Sequence, residues 1–356
     1  MGIGDWFKSG SKNLVGVDIG SSSVKVASIR RNGSRFVADG VGIRRLPEEA
    51  IIDGVIISKI PVAEAIEEIF AELNLKQTRV ATSISGHSVI VKKVTLPYLA
   101  DSELDESIQW EAEQYIPFDI SDVNIDYQVV RRSEDEQRID VVLVAAKKDK
   151  ITDYTSAVSL ARKVPVVVDI DAFALQNVFE VNYDPQPEIL YALFNIGSNV
   201  MNASIISGNQ FLFTRDISVG GNQYTESLQQ ELHLSAEEAE AYKRGVDVPP
   251  ELKDKVASIL EAVTENISLE IEKTTDYFRT ISDGKDISEI YLCGGASRTS
   301  GLRSYLSEKF KVPVEMLDPF KKVRLDNPSG RAEPIEEIAS EFAVAVGLAL
   351  RAAQDR

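Results

Sequence analysis

Apolar and polar positions follow the same order in two segments that lie far apart in the chain. In the first segment, the apolar run at 14–20 (LVGVDIG) indicates a buried strand, and residues 24–30 alternate as a second strand would. Asn32 and Gly33 then form a turn into a third strand at 36–43. This segment therefore predicts a meander of three strands.

The same meander is predicted a second time in the other half of the chain. Its strands lie at 189–197, 200–206 and 211–217. A polar residue and a glycine end the first strand of each copy, Asp18 and Gly20 in one and Asn195 and Gly197 in the other. Because these residues hold similar places in both meanders, a duplicated domain is the economical explanation.

Helical patterns follow each meander, so each half of the chain is predicted to be a mixed sheet flanked by helices. Two insertions interrupt the halves: a subdomain with its own strands and helices, and a second segment that is helical. The first lobe is predicted at 1–86 and 169–188 with a C-terminal helix at 341–356, and its insertion at 87–168. The second lobe is predicted at 189–225 and 285–340, and its helical insertion at 226–284.

The charge of the chain limits its partners. Lys and Arg number 39 against 56 Asp and Glu, and the net charge of −17 would repel nucleic acid and anionic lipid from most of the surface. The single cysteine excludes an internal disulfide, and the two histidines form no cluster typical of a zinc site. No run approaches the roughly 20 apolar residues of a membrane-spanning helix, and the start lacks the apolar core of a signal peptide. We therefore expect a cytoplasmic protein that has no transmembrane segment and binds no nucleic acid.

The first candidate site lies between the first two strands of the first meander. Gly20 permits a tight turn, and the backbone N–H groups and hydroxyls that follow it can hold phosphate oxygens. Asp18 can reach a hydrated Mg²⁺ ion. The residues of this candidate phosphate loop are Asp18, Gly20, Ser21, Ser22, Ser23 and Lys25. Taken alone, an ordinary hairpin of small residues explains the pattern as well as phosphate binding does.

A second candidate loop occupies the equivalent place in the other meander. It consists of Asn195, Gly197, Ser198 and Asn199. Two such hairpins that face each other would clamp a triphosphate between the lobes. The pair therefore favours a nucleotide site over two unrelated turns.

A third segment leads from a strand through Gly294 and Gly295 to Arg298 and then into a helix. Glycines let an adenine or ribose lie against the backbone, and helix N-termini favour anions. Without the other two motifs, a closely packed turn between a strand and a helix would be the better explanation.

Taken in chain order, these segments resemble the superfamily of actin, Hsp70 and the sugar kinases over nearly the whole chain. More specifically, the chain is similar to the PilM family of actin-like type IV pilus assembly proteins. The segments that carry this similarity are GDWF and VGVDIGSSSVKV near the start, IQWEAEQYIPFD, VDIDAFAL, LEIEKTTDYF and YLCGGASRTSGL. The resemblance implies an α/β, actin-like fold of two lobes, duplicated from a ribonuclease H-like unit and carrying inserted subdomains.

The resemblance also implies ATP and Mg²⁺ as cofactors. Both phosphate loops would hold the nucleotide, with Asp18 at the metal. The other residues expected beside the nucleotide are Gly220, Gly221, Gly294, Gly295 and Arg298. Glu270 and Lys273, one helical turn apart, would line the adenine or ribose pocket, although a surface ion pair explains them equally well.

Catalysis is expected to be weak. By resemblance Asp171 would be the catalytic residue that orients water, although the N-cap of a helix is the more ordinary role for such an aspartate. The second loop begins with Asn195 where the superfamily usually has an aspartate. Because charge near Mg²⁺ supports both metal affinity and in-line attack, we expect ATP to bind and to be hydrolysed slowly at most.

The resemblance implies an ATP-binding scaffold at the inner face of the inner membrane. The expected partner is the N-terminal cytoplasmic peptide of PilN, bound in a groove beside the inserted subdomain, with the pilus assembly and retraction ATPases as further contacts. Two alternatives stay open: a small-molecule kinase of the same fold, and a filament-forming protein similar to FtsA. A kinase would need a substrate pocket and a carboxylate base, for which the sequence supplies no motif.

Overall fold

The computed structural model describes residues 14–133, 135, 137–326 and 334–354, and the GDWF segment lies outside this part of the chain. The strands are β1 (Val15–Ile19), β2 (Ser23–Asn32), β3 (Arg35–Arg45), β4 (Ile51–Ile52), β5 (Val55–Ile56), β6 (Arg79–Ile84), β7 (Val89–Pro97), β8 (Val123–Ser133), β9 (Arg138–Lys147), β10 (Val164–Ile170), β11 (Leu190–Ile196), β12 (Met201–Ser207), β13 (Gln210–Ile217), β14 (Glu289–Cys293), β15 (Val314–Met316) and β16 (Val323–Leu325). The α-helices are α1 (Lys59–Glu72), α2 (Asp101–Tyr115), α3 (Lys148–Leu160), α4 (Asp171–Tyr183), α5 (Asn222–Leu232), α6 (Ala236–Lys243), α7 (Lys253–Ile281), α8 (Leu302–Phe310) and α9 (Ala343–Gln354).

The two large sheets share one strand order. The first sheet has the order β10-β6-β1-β2-β3-β16, and the second has the order β13-β12-β11-β14-β15. In each sheet the three strands of the meander are antiparallel. Two later strands extend the sheet in parallel from the first strand of the meander, β6 and β10 in one and β14 and β15 in the other. The repeat seen in the apolar pattern is therefore a repeated sheet, to which β16 adds one edge.

The first strand of each meander lies inside its sheet, so both of its faces are covered. This position explains why the sequence of β1 and β11 is a continuous apolar run rather than an alternation. Within each strand a single position is not fully buried, and it is Asp18 in β1 and Asn195 in β11. The fold thus presents these two polar residues at corresponding places in its two halves.

Helices α4 and α9 join the two sheets. Helix α9 packs on β1, β2 and β6, whereas α4 contacts α9, β10 and β12, and their shared core includes apolar residues of both sheets. A Cβ atom at Gly16 would lie 2.1 Å from the carbonyl oxygen of Ala345, and one at Gly347 would lie 1.9 Å from that of Ala174. Only glycine fits at these two contacts, and so α9 lies directly against β1 and α4. This helix begins at Ala343 rather than at 341, because a 3-10 turn precedes it.

The inserted subdomain has its own sheet, of order β7-β9-β8, and its own core, to which α2 contributes. Two strands depart from the predicted boundaries. β10 starts with Val164 opposite Arg79 in the first sheet, before the predicted end of the insertion at 168. β16 pairs Val323 with Phe36 in the same sheet, although 285–340 was assigned to the second lobe. Both strands are edges whose partners are distant in sequence, and an apolar run does not indicate which sheet it will join.

Asp126 on β8 is a buried carboxylate of the inserted subdomain. It is 7% exposed and accepts a hydrogen bond from the N–H of Tyr127 (2.8 Å). Burial raises the pKa of Asp126 to about 6. The hydrogen bond from Tyr127 and the positive charge of Arg351 lower this pKa but do not cancel the effect of burial. The folded state therefore binds this proton more tightly than the unfolded chain, and the stability of the fold decreases as the pH rises through about 6.

We expect Asp126→Asn to stabilise the fold more near pH 7.5 than near pH 4, by a difference of about 2 kcal/mol, because the amide removes the cost of ionising a buried carboxylate. Urea unfolding of both proteins at the two pH values measures this difference. Asp276→Asn, at an exposed position of α7, is the matched control and should show no such pH dependence. A gain from Asp126→Asn that is equal at both pH values would contradict the prediction.

Candidate functional site

The turn between β1 and β2 forms the first phosphate-loop candidate. The N–H of Gly20 donates to the carbonyl oxygen of Ser23 (3.1 Å), and residues 21–22 form the bend between the strands. Asp18 lies opposite Lys25 in the paired strands, and the Nζ atom of Lys25 is 3.4 Å from Oδ2 of Asp18. Both side chains are 13% exposed. The structure therefore brings the predicted metal residue and the predicted lysine together as a nearly buried ion pair.

The electrostatics of this loop fit a cation and a phosphate. Burial raises the pKa of Asp18, Lys25 opposes this shift, and the negative charge of Asp171 adds to it. The ionised Asp18 is thus incompletely compensated by the groups around it. The hydroxyl of Ser23 is buried without a hydrogen-bond partner among the described residues. A hydrated Mg²⁺ ion beside Asp18 and a phosphate oxygen at Ser23 would satisfy both groups.

The second loop candidate is joined to the start of α5. The N–H of Gly221 donates to the carbonyl oxygen of Gly197 (2.8 Å), and the N–H of Asn222 donates to that of Ser198 (2.9 Å). The side chain of Asn222 also donates from Nδ2 to Oδ1 of Asn199 (2.6 Å). These bonds hold the loop at the N-terminus of a helix, where the helix dipole favours an anion.

Two glycines let other segments meet this loop. A Cβ atom at Gly220 would lie 2.4 Å from the carbonyl oxygen of Ser198, and one at Gly294 would lie 2.5 Å from Oδ1 of Asn195. Gly294 also has a φ of +84°, in the region that favours glycine. The predicted residues of the second loop, the turn before α5 and the turn after β14 therefore form one close-packed unit.

Arg298 is the last residue of the 3-10 turn Gly295–Arg298, which follows β14, and it forms an ion pair with a buried glutamate. Its Nη1 donates to Oε1 of Glu341 (2.8 Å), whose side chain is 4% exposed. A Cβ atom at Gly295 would lie 3.5 Å from Oε2 of the same glutamate. This ion pair ties the glycine turn to the segment before α9, so Arg298 has a structural role whether or not it also contacts a nucleotide.

Lys243, at the end of α6, is a buried cation that the sequence analysis did not select. Its Nζ lies 3.1 Å from Oγ1 of Thr225 and 2.5 Å from Oε1 of Glu240. A Cβ atom at Gly221 would lie 3.4 Å from that Nζ. Burial lowers the pKa of Lys243, and Glu240 opposes the shift. The sequence feature that could have indicated burial of Lys243 is its position on α6, one turn after Ala239 and on the same face.

Glu270 and Lys273 lie in a groove next to the segment that contains Gly220 and Gly221. They form an ion pair on α7 (2.6 Å) and line a groove of about 430 Å³ between α5 and α7. The described lining of this groove includes Val219 and Gln223 but none of the residues of the two phosphate loops and none of the glycine turn after β14. The structure thus shows these two residues as an ion pair in a groove that includes Val219 and Gln223, on either side of Gly220 and Gly221, and their contact with a nucleotide stays a prediction.

Asp171 is the first residue of α4, after the N-cap Ile170, so it acts within the first turn rather than as the N-cap. Its negative charge raises the pKa of Asp18 in the first lobe and of Asp216 in the second. Asp171 therefore lies near acids of both lobes. The ammonium of Lys150 is buried against the carbonyl oxygen of Gly54. Burial lowers the pKa of Lys150, and the negative charges of Asp171 and Asp216 oppose this shift, so Lys150 lies near both of these acids.

Asp216 on β13 is a second buried charged residue that was not predicted from the sequence. Burial raises its pKa, and hydrogen bonds from Asn202 and from the N–H of Gly86 lower it. Asn195, Asn202 and Asp216 lie side by side across β11, β12 and β13, so the carboxylate is two strands away from the second loop. Symmetric pairing about the turn at 208–209 would have placed Arg215 opposite Asn202, and a register shift between Ile205 and Ile206 brings Asp216 there instead.

Among the described residues, no three Asp, Glu, His or Cys side chains are grouped closely enough to hold a metal ion by themselves. No helix in the described part of the chain has enough apolar length to cross a bilayer.

A family model for the type IV pilus assembly protein PilM matches residues 16–353. The chain belongs to the PilM family. Among solved structures, a PilM–PilN type IV pilus biogenesis complex is 26% identical, with a TM-score of 0.84, over 96% of this chain and 98% of that one. The recognition of the PilM family from the sequence motifs is thereby confirmed.

More distant structures share the architecture alone. The ethanolamine utilization protein EutJ of Carboxydothermus hydrogenoformans is 13% identical, with a TM-score of 0.57 over 96% of this chain and 90% of its own. MreB5 of Spiroplasma citri, bound to AMPPNP, is 12% identical, with a TM-score of 0.50 over 95% of both chains. Together with the PilM–PilN complex, they confirm the predicted actin-like, mixed α/β fold.

Proposed function

We propose that this chain binds Mg-ATP between its lobes and serves as a cytoplasmic scaffold of the type IV pilus machine. The scaffold holds the N-terminal cytoplasmic peptide of PilN at the inner face of the inner membrane, in a groove beside the inserted subdomain. The observation that supports this proposal is the likeness to a PilM–PilN complex over nearly all of both chains. The pilus assembly and retraction ATPases are further proposed contacts.

The proposed nucleotide site uses the paired loops. The two phosphate loops hold the triphosphate from the two lobes, and Asp18 holds Mg²⁺ through water. When bound, Mg²⁺ neutralises charge on the phosphates. Asp18 is suited to this role because its burial makes a nearby cation favourable. The choice of ligand is supported by MreB5, a structure of the same fold that has AMPPNP bound.

The adenosine is proposed to lie at the close-packed glycine unit. Its backbone surface is made by Gly220, Gly221, Gly294 and Gly295, with Lys243 supplying a buried positive charge beside Gly221. Contacts of Glu270 and Lys273 with the adenine or ribose stay a prediction of the resemblance, and their groove includes Val219 and Gln223, on either side of Gly220 and Gly221.

Hydrolysis is proposed to be slow. Asn195 is a neutral amide where a second carboxylate would support the metal, so the site binds more readily than it turns over. Asp171 is the residue proposed to orient water, because it lies near acids of both lobes. The bound nucleotide then acts mainly by holding the lobes in a defined arrangement.

Calorimetric titration with a synthetic peptide of the PilN tail, with and without Mg-ATP, tests the proposal, with phosphate release measured in the same samples. We expect saturable binding of the peptide and negligible turnover. A peptide of the same composition in scrambled order is the control and should not bind. Absence of peptide binding would contradict the scaffold; acceptor-stimulated phosphate transfer would instead support a kinase, and nucleotide-dependent pelleting would support a filament.

A further inference from the structure

Asp216, near the end of β13, joins the second lobe to the start of the inserted subdomain. Its Oδ2 accepts a hydrogen bond from the backbone N–H of Gly86, and its Oδ1 accepts one from Nδ2 of Asn202 (2.7 Å). Gly86 lies between β6 of the first sheet and β7, the first strand of the insertion. Both carboxylate oxygens thus accept a hydrogen bond, Oδ2 from the start of the insertion and Oδ1 from the second lobe.

The hydrogen bonds continue from Asp216 to the second phosphate loop. Oδ1 of Asn202 accepts from Nδ2 of Asn195 (3.0 Å). Because an ionised carboxylate only accepts hydrogen bonds, Asn202 must turn its amide nitrogen to Asp216 and its oxygen to Asn195. Asn195 must then donate to Asn202, which leaves its own Oδ1 in the space beside Gly294. One carboxylate therefore sets the orientation of both amides.

A second contact lies beside the first. Nε2 of His87 is 2.8 Å from Oγ of Ser218, so two consecutive residues at the start of the insertion are bonded to the end of β13. Neither contact belongs to a sheet, because β7 and β13 are in different sheets. Beside the apolar packing that Phe211 of β13 shares with Val89 and Val91 of β7, the junction therefore includes two polar contacts that can respond to changes at either end.

We propose that Asp216 is a positioning residue that couples the second phosphate loop to the inserted subdomain, so that bound nucleotide changes the affinity for the partner peptide. The coupling passes through Asn195, Asn202, Asp216 and the N–H of Gly86. Thermodynamic linkage requires the peptide to change the nucleotide affinity by the same factor. This inference rests on the proposed function, because it needs both ligands.

The test measures peptide affinity with and without Mg-ATP, and ATP affinity with and without peptide, in the wild type and in Asp216→Asn. We expect the wild type to show at least a fivefold effect, about the lower end of typical coupling between sites. In Asp216→Asn the new amide keeps both bonds only if Asn202 and Asn195 turn their own amides round, so either a bond or the orientation of Asn195 is lost. We expect both ligands still to bind and the effect of one ligand on the affinity for the other to fall below twofold. Asn202→Ala, which removes the middle link without a new amide at 216, should give the same result.

Asp126→Asn is the control, because it also removes a buried carboxylate but leaves the hydrogen bonds from Asn195 to Gly86 intact. In this variant each ligand should change the affinity for the other as much as in the wild type. Wild-type coupling in Asp216→Asn or Asn202→Ala, or a wild type that binds both ligands independently, would overturn the inference and leave the scaffold standing. A wild type that binds neither ligand would overturn both.

Hydrogen exchange in the wild type keeps the test valid if the variants fail to fold. Mg-ATP should slow exchange of the Gly86 amide, because its acceptor Asp216 becomes more firmly held, and of the Val89 amide, because it donates to the carbonyl oxygen of Gly86. Unchanged exchange in this segment at saturating nucleotide would overturn the inference.

Discussion

Replacing Gly347 with alanine is expected to destabilise the fold by about 3 kcal/mol, although the same change inside a helix ordinarily stabilises it by about 1 kcal/mol. The added Cβ would lie 1.9 Å from the carbonyl oxygen of Ala174, far inside contact distance. That oxygen belongs to the backbone of α4 and cannot turn aside as a side chain would. Relief requires α9 to move away from α4, at the core shared by the two sheets.

Urea unfolding measures this effect, and Gly284→Ala is the matched control. A Cβ at Gly284 would meet no atom within 4 Å, so only the strain of its positive φ of +80° remains. That strain costs about 1 kcal/mol. If Gly347→Ala were no worse than the control, α9 would not be as tightly seated as the structure has it. Loss of nucleotide binding together with stability would further show that this helix positions the lobes.

The parts of the site that sequence analysis predicted are local. Asp18 and Asn195 each end a buried strand and precede a small-residue turn, so a window of a few residues contains the whole signal. The repeated sheet order then places the two turns at corresponding positions of the two halves. Where strand, turn and polar residue are consecutive, the pattern was sufficient to predict both turns, and phosphate binding at them stays a prediction.

The parts that it missed depend on pairing between distant segments. Asp216 reaches the second loop only through the register of three strands, and Lys243 reaches the glycines only through the packing of α6. For the same reason the predicted end of the insertion at 168 fell within β10, and β16 was placed in the second lobe, because the pattern of an edge strand does not indicate which sheet it joins. Glu270 and Lys273 were predicted from the resemblance; they form an ion pair on α7, and their contact with a nucleotide stays a prediction.

Replacing Asp18 with asparagine is expected to weaken binding of Mg-ATP at least tenfold, which corresponds to about 1.4 kcal/mol or more. The carboxylate is proposed to hold the hydrated Mg²⁺ ion, and a neutral amide forms weaker bonds to its waters. Binding of ATP measured in EDTA should change much less, because the metal is then absent. Calorimetry with and without Mg²⁺ gives both values for one protein.

The same substitution should leave the fold intact, which separates a binding defect from unfolding. Burial raises the pKa of Asp18 despite its ion pair with Lys25, so ionisation of this residue already costs the folded state, and a neutral side chain removes that cost. The control Asp39→Asn removes an exposed carboxylate on β3 that pairs with Arg30, and it should bind Mg-ATP as the wild type does. Equal affinity of Asp18→Asn and wild type in Mg²⁺ would exclude Asp18 as the metal residue.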